Sequence, residues 1–331
     1  MKFSLIICTY MRPNAIVTLL ESVKIQTVYP TEIIIVDGST DNQTTKILKE
    51  SNFDKLIYYK VSKEDRGLTR QRNFGINKVT KETDIVCFLD DDTVLTKNYF
   101  EEILKTFISD DEIVGVGGLA INQNRWKIKD KNYNKLLYYE FDGYIIKESS
   151  RNVIRNILGI QSNLPPSRMP EFSNVRTYGY PFNNKTYEVD LLVGMSFSFR
   201  KKVVDTIKFS KYFEGYGLYE DADFSIRAQK FGKNVINTKV QLYHYHASEG
   251  RPNKYNYGKM VVRNGWYVWR LKYPNPSIMA RCKWNIIVIT LIYMRFLNVF
   301  TTKKRKEAFT EFLGRKVGLL SLLFNKPTII R

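Results

Sequence analysis

Short apolar, β-branched runs alternate with helical patterns from the start of the chain to about residue 120. The candidate strands are Phe3–Cys8, Ile33–Val36, Leu56–Val61, Ile85–Leu89 and Ile113–Val116. Behind Pro13, which suits a first helical turn, apolar residues recur at helical spacing: Ile16, Leu19, Leu20 and Val23. This alternation predicts an α/β fold with a mostly parallel, Rossmann-like sheet flanked by helices.

The rest of the chain divides into segments that differ in composition and periodicity. Residues 121–186 are polar, weakly periodic and interrupted by a proline pair, so we expect an irregular connection or insertion. Regular structure is predicted to return at Val189–Phe199, followed by a helix over Glu220–Phe231 and a strand over Val235–Tyr243. After Arg251 aromatic and basic residues interleave, which indicates a separate helical region at 251–331.

The positive charge is concentrated in that last region. The chain carries a formal net charge of +19, and residues 251–331 hold 17 Lys or Arg against 2 Asp or Glu, a net of +15. The concentrated positive charge therefore indicates a partner that binds at the surface of the C-terminal region.

The cysteines and the first residues point to the cytoplasm. Cys8, Cys87 and Cys282 have no paired spacing, so we expect a reducing compartment and no disulfides. The first apolar run is broken by Thr9, Arg12 and Pro13, and no secretion signal is expected.

Polar residues follow three of the candidate strands. These groups are Thr9 and Tyr10, Asp37–Asp41, and Asp90–Asp92. Because ligands of open parallel sheets bind beyond the carboxyl ends of the strands, the three groups predict one shared site. Adjacent carboxylates repel one another, and Mg²⁺ or Mn²⁺ held with a nucleotide diphosphate would resolve the repulsion. The alternative is a solvated turn in which Asp92 or Thr93 caps the next helix.

Five segments carry a family resemblance in their order along the chain. They are Ser4–Tyr10, Ile35–Asp41, Gly67–Gly75, Phe88–Asp92 and Glu220–Arg227, and they resemble the motifs of family 2 inverting glycosyltransferases. The resemblance implies a GT-A-like catalytic domain at 1–250, with a nucleotide-sugar-binding half (1–120) and an acceptor half (121–250). It implies transfer from a nucleotide-diphosphate sugar, a UDP-sugar being favoured, to a hydroxyl of a glycan or lipid-linked glycan in cell-surface polysaccharide synthesis.

The same resemblance implies roles for individual residues. Asp37 would contact the base, Thr9, Tyr10 and Arg12 would line the nucleotide, and Arg72 would approach the base or phosphates. Asp90 would meet the ribose, Asp91 the donor sugar, and Asp92 a divalent metal, Mn²⁺ or Mg²⁺. Gly194 would lie under the donor sugar, although Val193 stands where the family often has an aromatic residue. For Arg72 the alternative is an exposed charge on a helix.

Two further motifs bear on catalysis. By resemblance Asp221 is the general base and Glu220 supports the site or faces the acceptor, whereas helix capping is the alternative for both. His244, favoured over His246, would add a metal ligand by resemblance, against a purely structural role. Asp223 and Arg227 are four apart, and an intrahelical ion pair accounts for them.

The apolar run Ile286–Met294 covers nine residues, short of the roughly 20 that span a bilayer. With Trp284, Tyr293 and Phe296 beside it and Lys303–Lys306 after it, it suits a helix in the interface of an anionic cytoplasmic leaflet. A core helix is the alternative. We therefore expect a cytoplasmic protein held peripherally at the inner face of the cell membrane.

Two other classes of function would account for part of the sequence. A nucleotidyltransferase would also place acids at strand ends, but it predicts a glycine-rich loop after the first strand, and Thr9–Pro13 contains no glycine. A non-enzymatic module that binds membranes or nucleic acid through the basic tail leaves the acidic edge unexplained. Nucleic acid is therefore disfavoured as a partner.

Overall fold

The computed structural model describes residues 1–246 and 252–330. Within them the strands are β1 (Phe3–Thr9), β2 (Glu32–Asp37), β3 (Leu56–Lys60), β4 (Ile85–Asp90), β5 (Thr93–Leu95), β6 (Ile113–Ala120), β7 (Lys127–Ile128), β8 (Tyr138–Phe141), β9 (Tyr144–Lys147), β10 (Thr186–Val189), β11 (Ser196–Arg200) and β12 (Lys233–His244). The α-helices are α1 (Pro13–Lys24), α2 (Gln43–Glu50), α3 (Leu68–Ile76), α4 (Tyr99–Ser109), α5 (Ser150–Ile157), α6 (Lys201–Ile207), α7 (Glu220–Ala228), α8 (Lys254–Lys272), α9 (Ile278–Thr301) and α10 (Arg305–Phe324).

The chain forms two compact units. The first comprises residues 1–124 and 182–250, and the second comprises residues 125–181 and 251–331. The segment 125–181 thus groups with the C-terminal helices. The proposed division of residues 1–250 into a donor half and an acceptor half is functional and stays a prediction.

A mixed sheet forms the centre of the first unit. Its strands run in the order β10-β12-β6-β11-β4-β1-β2-β3, and β5 pairs with β12. The neighbours β4, β1, β2 and β3 are parallel, as are β6 and β12, whereas β11 enters antiparallel between β4 and β6. Each of the five strands expected from the sequence is present, which confirms the predicted α/β class.

The apolar runs form strands because both faces of the sheet are covered. Ile33, Ile34, Ile35 and Val36 of β2 are fully buried, and the predicted inward face of α1 is buried with them. On α3, a Cβ added at Gly75 would lie 2.7 Å from Ile6 Cγ2, so glycine lets this helix approach β1 closely. Because α3 lies close to β1, the side chains of α3 lie near the ends of the central strands.

Pairing in register brings the ends of the central strands together. Thr9 pairs with Asp37, and Cys8 pairs with Asp90. On the other side of the sheet, β12 reaches the same edge through an irregularity: between Ile236 and Gln241 it advances five residues while β6 advances two. Beyond this bulge His244 pairs with Thr93 of β5.

The second unit contains regular structure that the sequence reading did not predict. Within residues 125–181, β7, β9 and β8 form an antiparallel sheet in that order, and α5 follows. Asp142 and Gly143 join β8 to β9 with φ of 50° and 81°, the positive values that a two-residue hairpin turn of this kind requires. The expectation of an irregular connection or insertion over 121–186 therefore misses these elements, although residues 158–185 form no helix or strand, as expected.

The C-terminal helices also differ from expectation. The nine-residue apolar run belongs to the 24-residue helix α9, about 36 Å long. By length and composition α9 could cross a membrane, so the premise that the segment is too short is wrong. That criterion alone does not separate a spanning helix from one that packs on its own protein. Trp284, expected at an interface, is buried and stacks on Trp269 with ring centroids 4.9 Å apart.

Candidate active site at the carboxyl edge of the sheet

The acidic triplet follows β4, and the loop after β1 contacts it. Asp91 is 3% exposed and accepts hydrogen bonds from Thr9 Oγ1 at 2.7 Å and Arg12 Nη1 at 2.9 Å. The same Arg12 nitrogen lies 3.8 Å from Asp92 Oδ2. The guanidinium therefore offsets part of the repulsion between neighbouring carboxylates. Helix α4 begins only at Tyr99, with Asn98 as its N-cap, so neither Asp92 nor Thr93 caps it.

Asp90, the last residue of β4, is partly open to solvent. Its Oδ1 lies 3.3 Å from Arg72 Nη2. Desolvation raises the pKa of Asp90 to about 6; Arg72 opposes this increase, and the Asp92 carboxylate adds to it. Burial likewise raises the pKa of Asp91, against the influence of Arg12. A cation placed among these groups would favour their ionised forms.

One group of side chains within the described residues has the composition of a metal site. Single ligand atoms of Asp90, Asp92 and His244 lie within 4.8 Å of one another. His244 Nε2 is 3.2 Å from Asp92 Oδ1. Two carboxylate oxygens and an imidazole nitrogen are ligand types that suit Mn²⁺, and the carboxylates also suit Mg²⁺. The residues present therefore fit a divalent cation.

Two adjacent amides hold His244, and sequence reasoning did not single out either one. Asn122 Oδ1 accepts from the backbone N–H of His244 at 3.1 Å, and Asn122 Nδ2 donates to its carbonyl oxygen at 2.9 Å. Gln123 Nε2 lies 3.0 Å from His244 Nδ1 and 3.1 Å from His246 Nε2. Asn122 thus fixes the backbone and Gln123 contacts the ring. Their place directly after β6, at the edge that the other strands share, is the signal that could have found them.

Asp37 is fully buried at the end of β2 and organises the loop that follows it. Its Oδ1 accepts from the backbone N–H of Ser39 at 2.7 Å, and its Oδ2 accepts from the Tyr58 hydroxyl at 2.7 Å. Ser39 Oγ in turn accepts from the backbone N–H of Met11 at 2.7 Å. The loops after β1 and β2 are therefore tied together, and Tyr10 between them is exposed.

Arg72, on α3, is 2% exposed and touches three parts of the first unit. Nη1 donates to Glu220 Oε1 at 2.7 Å, and Nη2 donates to the Gly194 carbonyl at 3.0 Å and lies 3.3 Å from Asp90 Oδ1. The guanidinium carbon also lies 4.9 Å from the ring centroid of Phe197. The alternative of an exposed helix charge is wrong. The structure instead makes Arg72 the link between the triplet and the Glu220–Asp221 pair.

Glu220 and Asp221 are the first two residues of α7. Asp221 Oδ2 accepts from the backbone N–H of Gly194 at 3.0 Å, and Oδ1 accepts from that of Ala222 at 2.8 Å. Burial raises the pKa of Asp221 against these hydrogen bonds. Burial and the Asp221 carboxylate raise the pKa of Glu220 to about 8, opposed by Arg72. Glu220 is buried and Asp221 is partly exposed. A partly exposed carboxyl group with a raised pKa makes this segment suited to accepting a proton.

The loop before α7 has an unusual backbone. Gly215 and Gly217 adopt φ of 95° and 80°, and Tyr219, the residue before the helix, adopts φ of 74°. A non-glycine residue in the left-handed region costs about 1 kcal/mol or more and is most often retained at functional sites. Elsewhere on α7, Arg227 Nε donates to Asp223 Oδ2 at 3.0 Å, which confirms the predicted intrahelical pair.

The fold and the chemistry of the sheet edge define a class: a GT-A-like α/β protein with acidic groups beyond the carboxyl ends of its strands. The sequence profile of Glycosyl transferase family 2 matches residues 4–207, more than half of the chain. The chain belongs to that family.

Curated proteins are similar to part of the chain. An O-antigen chain rhamnosyltransferase, RfbN, of Salmonella typhimurium is 26% identical over 137 residues, 40% of this chain and 43% of that protein. A glucosyl-dolichyl phosphate glucuronosyltransferase of Haloferax volcanii is 27% identical over 124 residues, 37% of this chain and 39% of that protein. The matched segments thus span about two fifths of the length of these two relatives.

Among solved structures, the mannosyltransferase PcManGT from Pyrobaculum calidifontis, in complex with GDP-Man and Mn²⁺, resembles this chain in fold. The TM-score is 0.54 at 12% identity, with 98% of this chain and 88% of that chain covered. At this identity the likeness concerns the fold alone. It agrees with the predicted GT-A-like architecture.

Proposed function

We propose that the protein is an inverting glycosyltransferase that moves a sugar from a nucleotide-diphosphate sugar to a hydroxyl group of a glycan or lipid-linked glycan. One observation carries this proposal: the buried guanidinium of Arg72 contacts both Asp90 and Glu220. The carboxylate–imidazole group and the Asp221 segment therefore belong to one site. One part of that site suits a cation and a diphosphate, and the other suits a proton acceptor.

In this proposal Asp92 and His244 hold the metal ion. The family resemblance implies that Asp90 contacts the ribose, and Asp90 is also close enough to bind the same ion. A bound Mn²⁺ or Mg²⁺ would offset the negative charge of the diphosphate leaving group. Thr9 and Arg12 hold Asp91 in place. On the family resemblance, Asp91 faces the donor sugar. Asp37, Tyr10 and Arg12 then line the nucleotide. A UDP-sugar is the favoured donor on the family resemblance.

Asp221 is the proposed general base. It takes the proton of the acceptor hydroxyl while the acceptor oxygen forms a bond to the anomeric carbon. The bond from that carbon to the diphosphate oxygen breaks, and its electron pair leaves with the nucleotide diphosphate. A single displacement of this kind inverts the anomeric configuration. Gly194 contacts Asp221 and Arg72 through its backbone, so it sets the distance between the base and the donor region.

The relatives suggest a setting for the acceptor. One is named for O-antigen chain synthesis and another for a dolichyl phosphate-linked sugar. On that basis we place this enzyme in cell-surface polysaccharide synthesis, in the cytoplasm at the inner face of the membrane, where lipid-linked glycans are accessible. The curated matches cover part of each relative, so the acceptor is given as a class.

The direct test is a thermal-shift screen of nucleoside diphosphates and nucleotide sugars, with and without Mn²⁺, followed by a transfer assay with the best donor. A bound donor raises the melting temperature by mass action, and we expect this only with the metal present. The product's anomeric configuration, measured by NMR, should be opposite to that of the donor. Absence of stabilisation by every donor, or a product of retained configuration, would contradict the proposal.

A further inference from the structure

Helix α9 carries two apolar faces. Ala280, Trp284, Ile287 and Ile292 are buried within the structure. A second set at spacings of three or four residues is exposed, from 43% at Leu297 to 66% at Phe300. This set, named here the outer stripe, consists of Ile286, Ile289, Tyr293, Leu297 and Phe300. Its spacing places all five on one side of the helix. The sequence alternatives of core helix and interfacial helix are therefore combined in one element.

Charge indicates what covers the outer stripe. The stripe ends at the exposed basic turn Lys303–Lys306, which comprises the end of the connection after α9 and the first two residues of α10. Residues 251–331 carry a net of +15, so a second copy of the same region would meet like charge. An anionic bilayer offers both an apolar interior and negative headgroups, and it complements the stripe and the turn together.

The buried side of α9 indicates that the helix lies on a bilayer instead of crossing it. Phe296 packs on Phe312 of α10 with ring centroids 5.1 Å apart. Beside it, Arg295 Nη2 is 2.7 Å from Glu311 Oε2, and Glu311 also pairs with Arg315. Crossing would carry this cluster of charges into hydrocarbon, which costs several kcal/mol for each charge without compensation. A one-sided stripe fits a helix lying in the interface plane.

We propose that the outer stripe docks in the plane of an anionic membrane, with the basic turn contacting lipid headgroups. The inference uses only the second unit and is independent of glycosyl transfer. It predicts binding that requires anionic lipid, weakens with added salt, and depends on exposed apolar side chains.

The test uses the full chain in co-sedimentation with vesicles of phosphatidylcholine alone or mixed with phosphatidylglycerol. We expect binding to the mixed vesicles only. The double variant Ile289→Glu with Phe300→Glu changes two exposed positions and should abolish binding while circular dichroism is unchanged. Ile108→Glu, at an exposed apolar position on α4 of the first unit, is the matched control and should bind as wild type. Each of Lys303→Gln and Lys306→Gln should lower partition by about fivefold.

Four results would overturn the proposal. The wild-type chain could fail to bind either vesicle, or the double variant could bind as well as wild type. Resistance of the bound chain to alkaline carbonate extraction would indicate a spanning helix. A dimer in light scattering that the double variant abolishes, without vesicle binding, would show that a second copy covers the stripe.

Discussion

The first unit holds two acidic clusters that differ in what stabilises them. In the Asp90–Asp92 triplet, each carboxylate lies near a charged or ionisable side chain, namely Arg72, Arg12 or His244. Asp221, in contrast, accepts two backbone N–H groups, from Gly194 and Ala222. Side-chain partners can turn away when a cation arrives, whereas backbone donors are fixed. The difference supports the proposal that the triplet binds a cation and that Asp221 accepts the proton.

The largest effects are expected from substituting one carboxylate in each cluster. Asp92→Ala should abolish Mn²⁺ binding and with it metal-dependent transfer. Asp221→Asn should bind Mn²⁺ and donor as wild type while transfer falls by roughly 10²- to 10⁴-fold, because only the proton acceptor is lost. Calorimetric titration with Mn²⁺ and a transfer assay separate the two outcomes. Normal transfer by Asp221→Asn would end its assignment as the base.

Arg72 connects the two clusters, so its removal should damage both. Arg72→Met leaves the buried Glu220 carboxyl and the Gly194 carbonyl without their hydrogen-bond donor, and we expect a loss of about 1–3 kcal/mol in the free energy of unfolding. Arg70→Met is the control, because Arg70 lies two residues away on α3 and pairs with Glu214 at the surface. It should change stability little. Urea denaturation measures both, and equal effects of the two variants would show that Arg72 is not a special link.

A smaller effect is expected at Gln123, which contacts the candidate metal ligand His244. For His244 to present a lone pair on Nε2, its Nδ1 must carry the proton and needs an acceptor, which the Gln123 amide oxygen provides when the amide is rotated. Gln123→Leu should therefore weaken Mn²⁺ binding about tenfold, whereas Gln123→Glu should preserve it. Calorimetric titration gives the affinities. Equal losses in both variants would indicate a steric role, and no loss in either would exclude a role for Gln123.

The smallest effect concerns pH. The pKa of Glu220 is about 8 in the folded chain against an ordinary value of 4.5. Between these values the folded state holds a proton that the unfolded state has released, so this residue makes stability fall as pH rises from about 4.5 to about 8. Glu220→Gln cannot titrate and should flatten that part of the profile. Urea denaturation across the range would show it, and an unchanged slope would contradict the raised pKa.

The sequence predicts the carboxyl edge of the parallel strands well because its signals are local. Each parallel strand is an apolar run that ends in polar residues, and their order places Thr9, Asp37 and Asp90 at one edge. Arg72 is different: α3 is polar, which indicates an exposed helix, and its burial depends on Glu220 and Gly194 more than 100 residues away. No local pattern reports such a contact.

The sequence underestimates the length of α9 for a related reason. Polar residues such as Asn285 and Arg295 interrupt its apolar pattern, so only the central run carries a clear apolar signal. Arg295 is tolerated because Glu311 of the next helix pairs with it. The β8–β9 hairpin, in contrast, carried a local signal in Asp142-Gly143 and could have been found.

The bulge in β12 limits the insertions and deletions that this protein can accept. His244 meets Asp92 because β12 gains three residues on β6 between Ile236 and Gln241. Deleting one of these residues would draw the histidine back by about 3.3 Å or turn it to the other side of the sheet. The number of residues in this short segment is therefore constrained more tightly than their identity, and insertions or deletions there should be selected against even where substitutions are neutral.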